Sequence, residues 1–172
     1  MSTLFPISHA QSLSGAEIGR AAQGLIDRAR RRVWVSQFIT TTETSRGPVW
    51  DHLEALARAA VAGVDVRVLH DRFQSGEHQV SVNEPVHRWL GRAGIETRFA
   101  EPKYRSSTHA KLLIVDDSVL TSSANWTDGG RRNNLEVGVL IDSVDYSASS
   151  AERFLFHWHA SPTNETETTW PE

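Results

Sequence analysis

Apolar positions in the first hundred residues repeat with two alternating periods. A helical spacing follows Ser14-Gly-Ala-Glu17, which has the form of a capping box. Two further helical stretches begin at Pro48 and Pro85 and end before Gly63 and Gly94. Strand-like stretches lie between the helices, at residues 32–40, 64–71 and 95–100. This alternation predicts βαβ units and a largely parallel sheet.

The second half of the chain changes to strands joined by short links. Strands are predicted over residues 109–117, 118–126 and 135–142, and a last helix over 148–159. We therefore expect one α/β domain over residues 1–160, with a mixed, largely parallel sheet flanked by helices. The polar, acidic stretch 161–172 is expected to be a flexible tail.

Composition removes several classes of protein. A chain of 172 residues suits one domain. It has no cysteine, which excludes disulfides, thiolate metal sites and a thiol nucleophile. No apolar run reaches the roughly 20 residues of a membrane span, and the first residues lack the pattern of a signal peptide, so a cytoplasmic location is expected. The net charge of −3 argues against a protein that coats nucleic acid through a basic surface, but it is compatible with a local basic cleft.

The stretch "STHAKLLIVDD", residues 107–117, carries the first candidate chemistry. His109 and Lys111 are two apart in a predicted strand and therefore share a face. Such a pair can engage a phosphate, because the ammonium neutralises a phosphoryl oxygen while the imidazole attacks phosphorus or moves a proton. Asp116 has the opposite parity and is expected to fix the following turn. A buried strand with a polar end is the alternative interpretation.

Polar residues downstream favour the catalytic interpretation. Ser123 and Asn125 are again two apart, so both can face one site. Glu136 lies at the head of an apolar strand, where a carboxylate is unusual. It is expected to accept a hydrogen bond from His109 and so to fix the tautomer of the ring.

Taken together, these residues resemble the signature of the phospholipase D superfamily. That signature is His-x-Lys, an Asp, then Gly-Ser-x-Asn and a Glu, and the matching residues here are His109, Lys111, Asp116, Ser123, Asn125 and Glu136. Ser122 stands where the family usually has glycine, and the step from Asp116 to Asn125 is one residue shorter than usual. The resemblance implies a phospholipase D-like fold, catalytic roles for His109, Lys111 and Glu136, and phosphate binding by Lys111, Ser123 and Asn125. It implies no metal and no other cofactor.

The presence of a single His-x-Lys motif in the chain bears on the oligomeric state. The family uses two histidines, one that attacks to form a phosphohistidine and one that protonates the leaving oxygen, whereas this chain has one His-x-Lys. The resemblance therefore implies a homodimer in which the two copies of His109 meet, as in the small single-motif bacterial endonucleases of the family. His70 is interpreted as a strand-end histidine, and the two histidines of "HWH", residues 157–159, have poor spacing for a metal on a helix.

The sequence favours a nucleic acid as the substrate. Cations and aromatic residues near the motif suit a nucleic-acid backbone and a splayed base: Lys103, Tyr104, Arg105, Trp126, Arg131 and Arg132. Solvated loop charges are the alternative explanation of the cations. We expect a nuclease of low sequence specificity that binds and cleaves DNA. RNA is a further candidate substrate.

Two other functions stay open at this point. One is a phosphatidyl-transferring or phospholipase enzyme with the same histidine chemistry. The other is a non-catalytic nucleic-acid-binding module of a larger defence or repair complex. The sequence does not fix the natural substrate, the ends left after cleavage, the pathway, or whether the loops at 41–47 and 72–84 gate the site.

Overall fold

A seven-stranded mixed sheet with helices against both faces forms the body of the protein. The computed structural model describes residues 4–42, 47–72, 81–100, 108–128 and 134–161. The strands are β1 (His9–Ser14), β2 (Arg32–Gln37), β3 (Thr40–Thr41), β4 (Asp65–His70), β5 (Glu96–Phe99), β6 (Lys111–Val115), β7 (Ser118–Ser122), β8 (Trp126–Thr127) and β9 (Val137–Asp142). The helices are α1 (Ala16–Asp27), α2 (Pro48–Val61), α3 (Glu84–Arg92) and α4 (Val144–Ala160). The predicted single α/β domain is confirmed.

The main sheet has the order β1-β9-β7-β6-β2-β4-β5, and β3 and β8 form a separate parallel pair. Within the main sheet, parallel pairing is confined to β2–β4 and β4–β5, and the other pairs are antiparallel. The sheet is mixed, as predicted, but less parallel than the βαβ pattern of the first half suggested. One cause is the link between β6 and β7: only Asp116 and Asp117 separate these strands, and so short a link can join only antiparallel strands.

Strand β6 is buried on both faces, which explains its unbroken apolar run. Leu113 and Val115 belong to the core under α1, α2 and α3. Ile114 belongs to a second core under α4, with Trp34, Phe154 and Trp158. Alternating side chains thus serve two cores in turn. The strand is held firmly between two layers, and its open end carries Lys111.

The sequence did not predict β1. Its residues are mostly exposed, and only Leu13 is buried. The strand forms because its backbone pairs along the whole of β9, from His9 opposite Asp142 to Ser14 opposite Val137. Because those partners are more than a hundred residues away in sequence, local hydrophobic patterning gives no signal for it.

One of the two hydrogen bonds of the predicted capping box before α1 is present. The carboxylate of Glu17 accepts from the Ser14 backbone N–H at 3.0 Å, as expected. The Ser14 hydroxyl donates to the same carboxylate at 3.1 Å, and no side chain caps the helix.

Three of the predicted segments fall partly outside the described residues. They are the acidic tail beyond Ser161 and most of the loops at 41–47 and 72–84. Within the described ranges, no helix has the length and hydropathy to cross a membrane.

Candidate active site

His109 and Lys111 lie at the open end of β6. Lys111 is the first residue of the strand and pairs with Gln37, the last residue of β2. Its ammonium lies 3.3 Å from Nδ1 and 3.3 Å from Nε2 of His109, and it donates to the His109 carbonyl at 3.3 Å. His109 is exposed, whereas Lys111 is only 8% exposed. The lysine is therefore a buried charge beneath an accessible imidazole.

Burial changes the acidity of this lysine. Desolvation lowers the pKa of Lys111 below its ordinary value, because the charged form is poorly hydrated there. The carboxylates of Glu136 and Asp71 act in the opposite direction and favour the ammonium form. The surrounding carboxylates thus favour the ammonium form of Lys111 in a poorly hydrated place, where a cation attracts an anion more strongly than it does in water.

An aromatic wall stands beside the pair. The ring centroid of Phe38 lies 4.4 Å from that of His109, and Lys111 Nζ lies 5.0 Å from the Phe38 ring. The backbone N–H of Phe38 donates to the Ala110 carbonyl at 3.0 Å, which fixes the wall to the residue between His109 and Lys111. Phe38 lies inside a stretch predicted as strand, and nothing in the sequence marked it as part of a site.

Glu136 is placed differently from the prediction. It lies just before β9 and is 9% exposed. Its carboxylate accepts from the Ser123 hydroxyl and, at 3.4 Å, from the Asn134 amide. No hydrogen bond joins it to His109 in the part of the chain that the structure describes, so that expectation is corrected. Backbone bonding explains the result, since Ser123 N–H donates to the Val137 carbonyl at 2.9 Å and holds the serine against the carboxylate.

The Ser123-Asn125 segment does not continue the strand. Because β7 ends at Ser122, the two side chains are placed by a loop and not by strand alternation. Ser123 is exposed, and Asn125 is half-buried. Within the described ranges, Asn125 Oδ1 is a buried acceptor without a hydrogen-bond partner.

Trp126 is not a base-stacking residue, which corrects its place among the expected nucleic-acid contacts. It is 5% exposed and packs edge-on against His52, with ring centroids 5.0 Å apart. The cause is the β3–β8 pair, in which Trp126 lies opposite Thr40 and the backbone N–H of Trp126 donates to the Ile39 carbonyl at 3.0 Å. That pairing directs the indole into the core against α2. The other expected contacts, Lys103, Tyr104, Arg105, Arg131 and Arg132, lie outside the described residues.

Asp116 holds the turn at the far end of β6. Its φ of 51° is in the left-handed region, which aspartate tolerates better than most residues. Its carboxylate accepts three backbone N–H groups at 2.8–3.1 Å, from Arg30, Arg31 and Arg32. Partial burial opposes ionisation, but these donors outweigh it and lower the pKa of Asp116.

A close approach of two strands accompanies Ser122. A Cβ added to Gly138 would lie 3.0 Å from the Ser122 Cβ and 3.1 Å from the Thr121 carbonyl oxygen. Ser122 itself lies in β7 without a positive φ. Gly138, on the neighbouring strand and two residues from Glu136, therefore leaves the room that the Ser122 side chain occupies.

His70 is part of the core and not of the site. It is fully buried and packs against His87 and Phe99. Among the described residues, neither of its ring nitrogens has a hydrogen-bond partner. Burial, and secondarily the proximity of His87, lowers the pKa of His70 to about 3. It is therefore neutral at physiological pH.

Comparison with protein-family models gives a match over most of the chain. The family model described as "Cardiolipin synthase, PLD-like domain" matches residues 23–158. A search of curated protein sequences gives no significant match.

No group of three or more histidine, aspartate or glutamate side chains within the described residues could hold a metal ion.

Solved structures show the same fold. Nuc from Salmonella typhimurium, a phospholipase D family member, aligns with a TM-score of 0.73 at 22% identity, over 92% of this chain and 100% of that one. NucT from Helicobacter pylori gives 0.69 at 15% identity, over 90% and 99%. Phosphatidylserine synthase from Haemophilus influenzae gives 0.70 at 13% identity, over 90% of this chain and 39% of that one.

Proposed function

Because this chain belongs to the phospholipase D-like family, we propose that it is a phosphodiester hydrolase that works through a phosphohistidine at a homodimer interface, without a metal ion. The observation that carries the proposal is the buried ammonium of Lys111 against the exposed imidazole of His109. A cation retained at low hydration beside an accessible nucleophile is suited to a phosphate and has no evident role in packing.

The reaction has two steps. In the first, a ring nitrogen of one His109 attacks phosphorus; a P–N bond forms, the P–O bond to the leaving group breaks, and the partner's protonated His109 gives its proton to the leaving oxygen. In the second, the partner's His109 takes a proton from water, the water oxygen attacks phosphorus, and the P–N bond breaks. Lys111 neutralises the phosphoryl oxygens in both steps. Asn125 and Ser123 are proposed to help bind them, as the signature implies.

The homodimer is proposed because one chain supplies one His-x-Lys. An exposed apolar residue marks a suitable surface: Leu135 is 93% exposed and directly precedes Glu136. Val137, two residues further along and the first residue of β9, is 61% exposed. A two-fold interface that covers these residues would bring two copies of the site together and remove apolar surface from water.

We propose a nucleic acid as the substrate, cleaved with low sequence specificity. The support is the single-domain size, shared over nearly the whole length with Nuc and NucT, and the cations that flank the motif in the sequence. A phosphatidyl-transfer reaction is the second candidate, because the matching family model is described as a cardiolipin synthase domain and phosphatidylserine synthase shares the fold. Both candidates use the same histidine chemistry.

One experiment separates these functions. Purified protein is incubated in excess EDTA with end-labelled single-stranded DNA, double-stranded DNA, RNA, or liposomes of anionic phospholipid. His109→Ala is the test variant, and His159→Ala, which removes an exposed histidine on α4, is the matched control. Denaturing gels at alkaline pH, where a phosphohistidine survives, detect a labelled protein adduct.

We expect nucleic-acid cleavage and an adduct in EDTA with wild type and His159→Ala, and a loss on the order of 10⁴-fold or more with His109→Ala. Turnover of liposomes without cleavage of nucleic acid would select the lipid enzyme. Cleavage that chelation abolishes would overturn the metal-free mechanism. Binding of nucleic acid without any turnover would leave the chain a binding module.

A further inference from the structure

Two buried polar residues outside the family signature hold the surroundings of His109. We propose that Asp71 and Asn83 are positioning residues that fix the imidazole between its aromatic wall and the start of β6. This proposal rests on the catalytic role proposed above for His109. Neither residue was marked by the sequence patterns.

Asn83 is used in an unusual way for its place in the chain. It is the residue before α3, where an asparagine side chain commonly caps the helix, yet it makes no capping hydrogen bond. It is fully buried. Its Oδ1 accepts from the Thr40 backbone N–H at 2.7 Å, and its Nδ2 donates to the carbonyls of Phe38 at 2.9 Å and Asp71 at 2.8 Å. One acceptor and two donors are thus matched to three backbone groups from two other segments.

Asp71 links the carbonyl that Asn83 binds to the segment that leads into β6. It follows β4 and is 5% exposed. Its carboxylate accepts from the backbone N–H of Thr108, the residue before His109. Its own N–H donates to the Gln37 carbonyl at 3.2 Å, so its backbone is tied to the end of β2.

The two residues therefore hold both neighbours of the imidazole. Asn83 fixes the backbone of Phe38, whose ring is the wall beside His109. Asp71 fixes Thr108, which leads directly into His109. Loss of either would leave the signature residues intact but loosen the geometry of attack, and a displacement on the order of 1 Å can cost about 100-fold in rate.

The test combines kinetics with a measurement that does not require activity. Hydrolysis of bis(4-nitrophenyl) phosphate gives kcat and KM, and the NMR resonance of the His109 Hε1 proton reports its position relative to the Phe38 ring. The variants are Asn83→Ala and Asp71→Ala. Leu90→Ala is the control, because it removes a fully buried side chain from α3, the helix that follows Asn83, and perturbs packing without removing a hydrogen bond of Asn83 or Asp71.

We expect Asn83→Ala and Asp71→Ala to lower kcat by about 10- to 100-fold with KM changed less than about 3-fold, and to shift the His109 resonance. Leu90→Ala should lower the melting temperature with kcat and the resonance unchanged. A folded Asn83→Ala with both readouts unchanged would overturn the proposal, as would equal effects in Leu90→Ala. If wild type hydrolyses no phosphodiester, the proposed function fails while the resonances still test the positioning.

Asp71→Asn separates the hydrogen bond from the charge. It keeps an oxygen that can accept from Thr108, so the His109 resonance should stay near that of wild type. Among the described residues, the charged and titratable groups that face Lys111 are His109, Glu136 and Asp71. Removal of the Asp71 charge should move the alkaline limb of kcat to lower pH. A resonance shift as large as that of Asp71→Ala would contradict positioning through this hydrogen bond.

Discussion

The ammonium of Lys111 is equally far, 3.3 Å, from both ring nitrogens of His109. Equal distances place the charge over the imidazole and do not single out one nitrogen lone pair. Either nitrogen can therefore face the substrate while the lysine stays in contact with the ring. In the proposed reaction, this arrangement would hold a phosphate near the histidine and leave a ring nitrogen lone pair available for attack.

Replacement of Lys111 tests this arrangement. We expect Lys111→Met to lower kcat about 10²- to 10³-fold, because a preorganised cation is lost. In wild type, the pKa of Lys111 lies below its ordinary 10.5, so activity should fall on the alkaline side before an exposed lysine would lose its proton. Lys111→Arg should be slower at its optimum but should lack this alkaline limb, since arginine stays charged. If Lys111→Arg showed the same fall in activity at alkaline pH, that fall would belong to another titratable group.

Asp116 should prove structural. Asp116→Ala removes three backbone partners and places a less tolerant residue at positive φ, so we expect the free energy of unfolding to fall by about 2–3 kcal/mol. Asp116→Asn should cost less. Because folding lowers the pKa of Asp116, its stabilisation is present above the unfolded value and is lost as pH falls through the folded value. Urea unfolding at several pH values measures this. A large loss of kcat in a stable Asp116→Asn would contradict the assignment.

Leu135 tests the homodimer. A buried leucine contributes about 1.5–3 kcal/mol, and two-fold symmetry uses it twice. We expect Leu135→Asp to be monomeric at concentrations where wild type is dimeric, with activity reduced at least about tenfold. Val61→Asp is the control, since Val61 is 87% exposed at the end of α2 away from the site. Light scattering and activity across a dilution series give the answer, and an active, dimeric Leu135→Asp would place the interface elsewhere.

His70 should make the fold acid-sensitive. Its pKa falls from 6.5 to about 3 on folding, so the unfolded chain binds more protons between these values. Stability should therefore decrease as pH falls through that window, by up to about 1.4 kcal/mol per pH unit. His70→Phe should remove this part of the slope and leave stability at pH 7 equal or higher, because two unpartnered ring nitrogens disappear from the core. Exposed His159→Phe should change neither, and an unchanged slope in His70→Phe would contradict the prediction.

The sequence predicted what depends on local pattern. The βαβ half, the helix starts at Pro48 and near Pro85, and the buried strand after the His-x-Lys motif all follow from periodicity and turn residues. The motif residues could be found because their spacing is itself the signal. Family membership followed from the same residues.

What the sequence missed depends on partners far along the chain. The bonds of Asn83 span 43 and 45 residues to Thr40 and Phe38, and that of Asp71 spans 37 residues to Thr108. Strand β1 exists through pairing with β9, and Trp126 is buried by the pairing of β8 with β3. The local sequence around a polar or aromatic residue is the same whether or not a distant segment pairs with it, so the sequence pattern cannot reveal such a partner.

Strand β6 is anchored by a carboxylate at each end: that of Asp71 binds Thr108, and that of Asp116 binds the backbone at the start of β2. Side chains alternate along a strand, so a shift by one residue would exchange its two faces. An insertion or deletion between 108 and 116 would thus either break one anchor or turn the lysine toward α4. The spacing of the His-x-Lys motif to its aspartate is therefore a fixed length, set by two attachment points, and tolerance to changes in length should be lowest here.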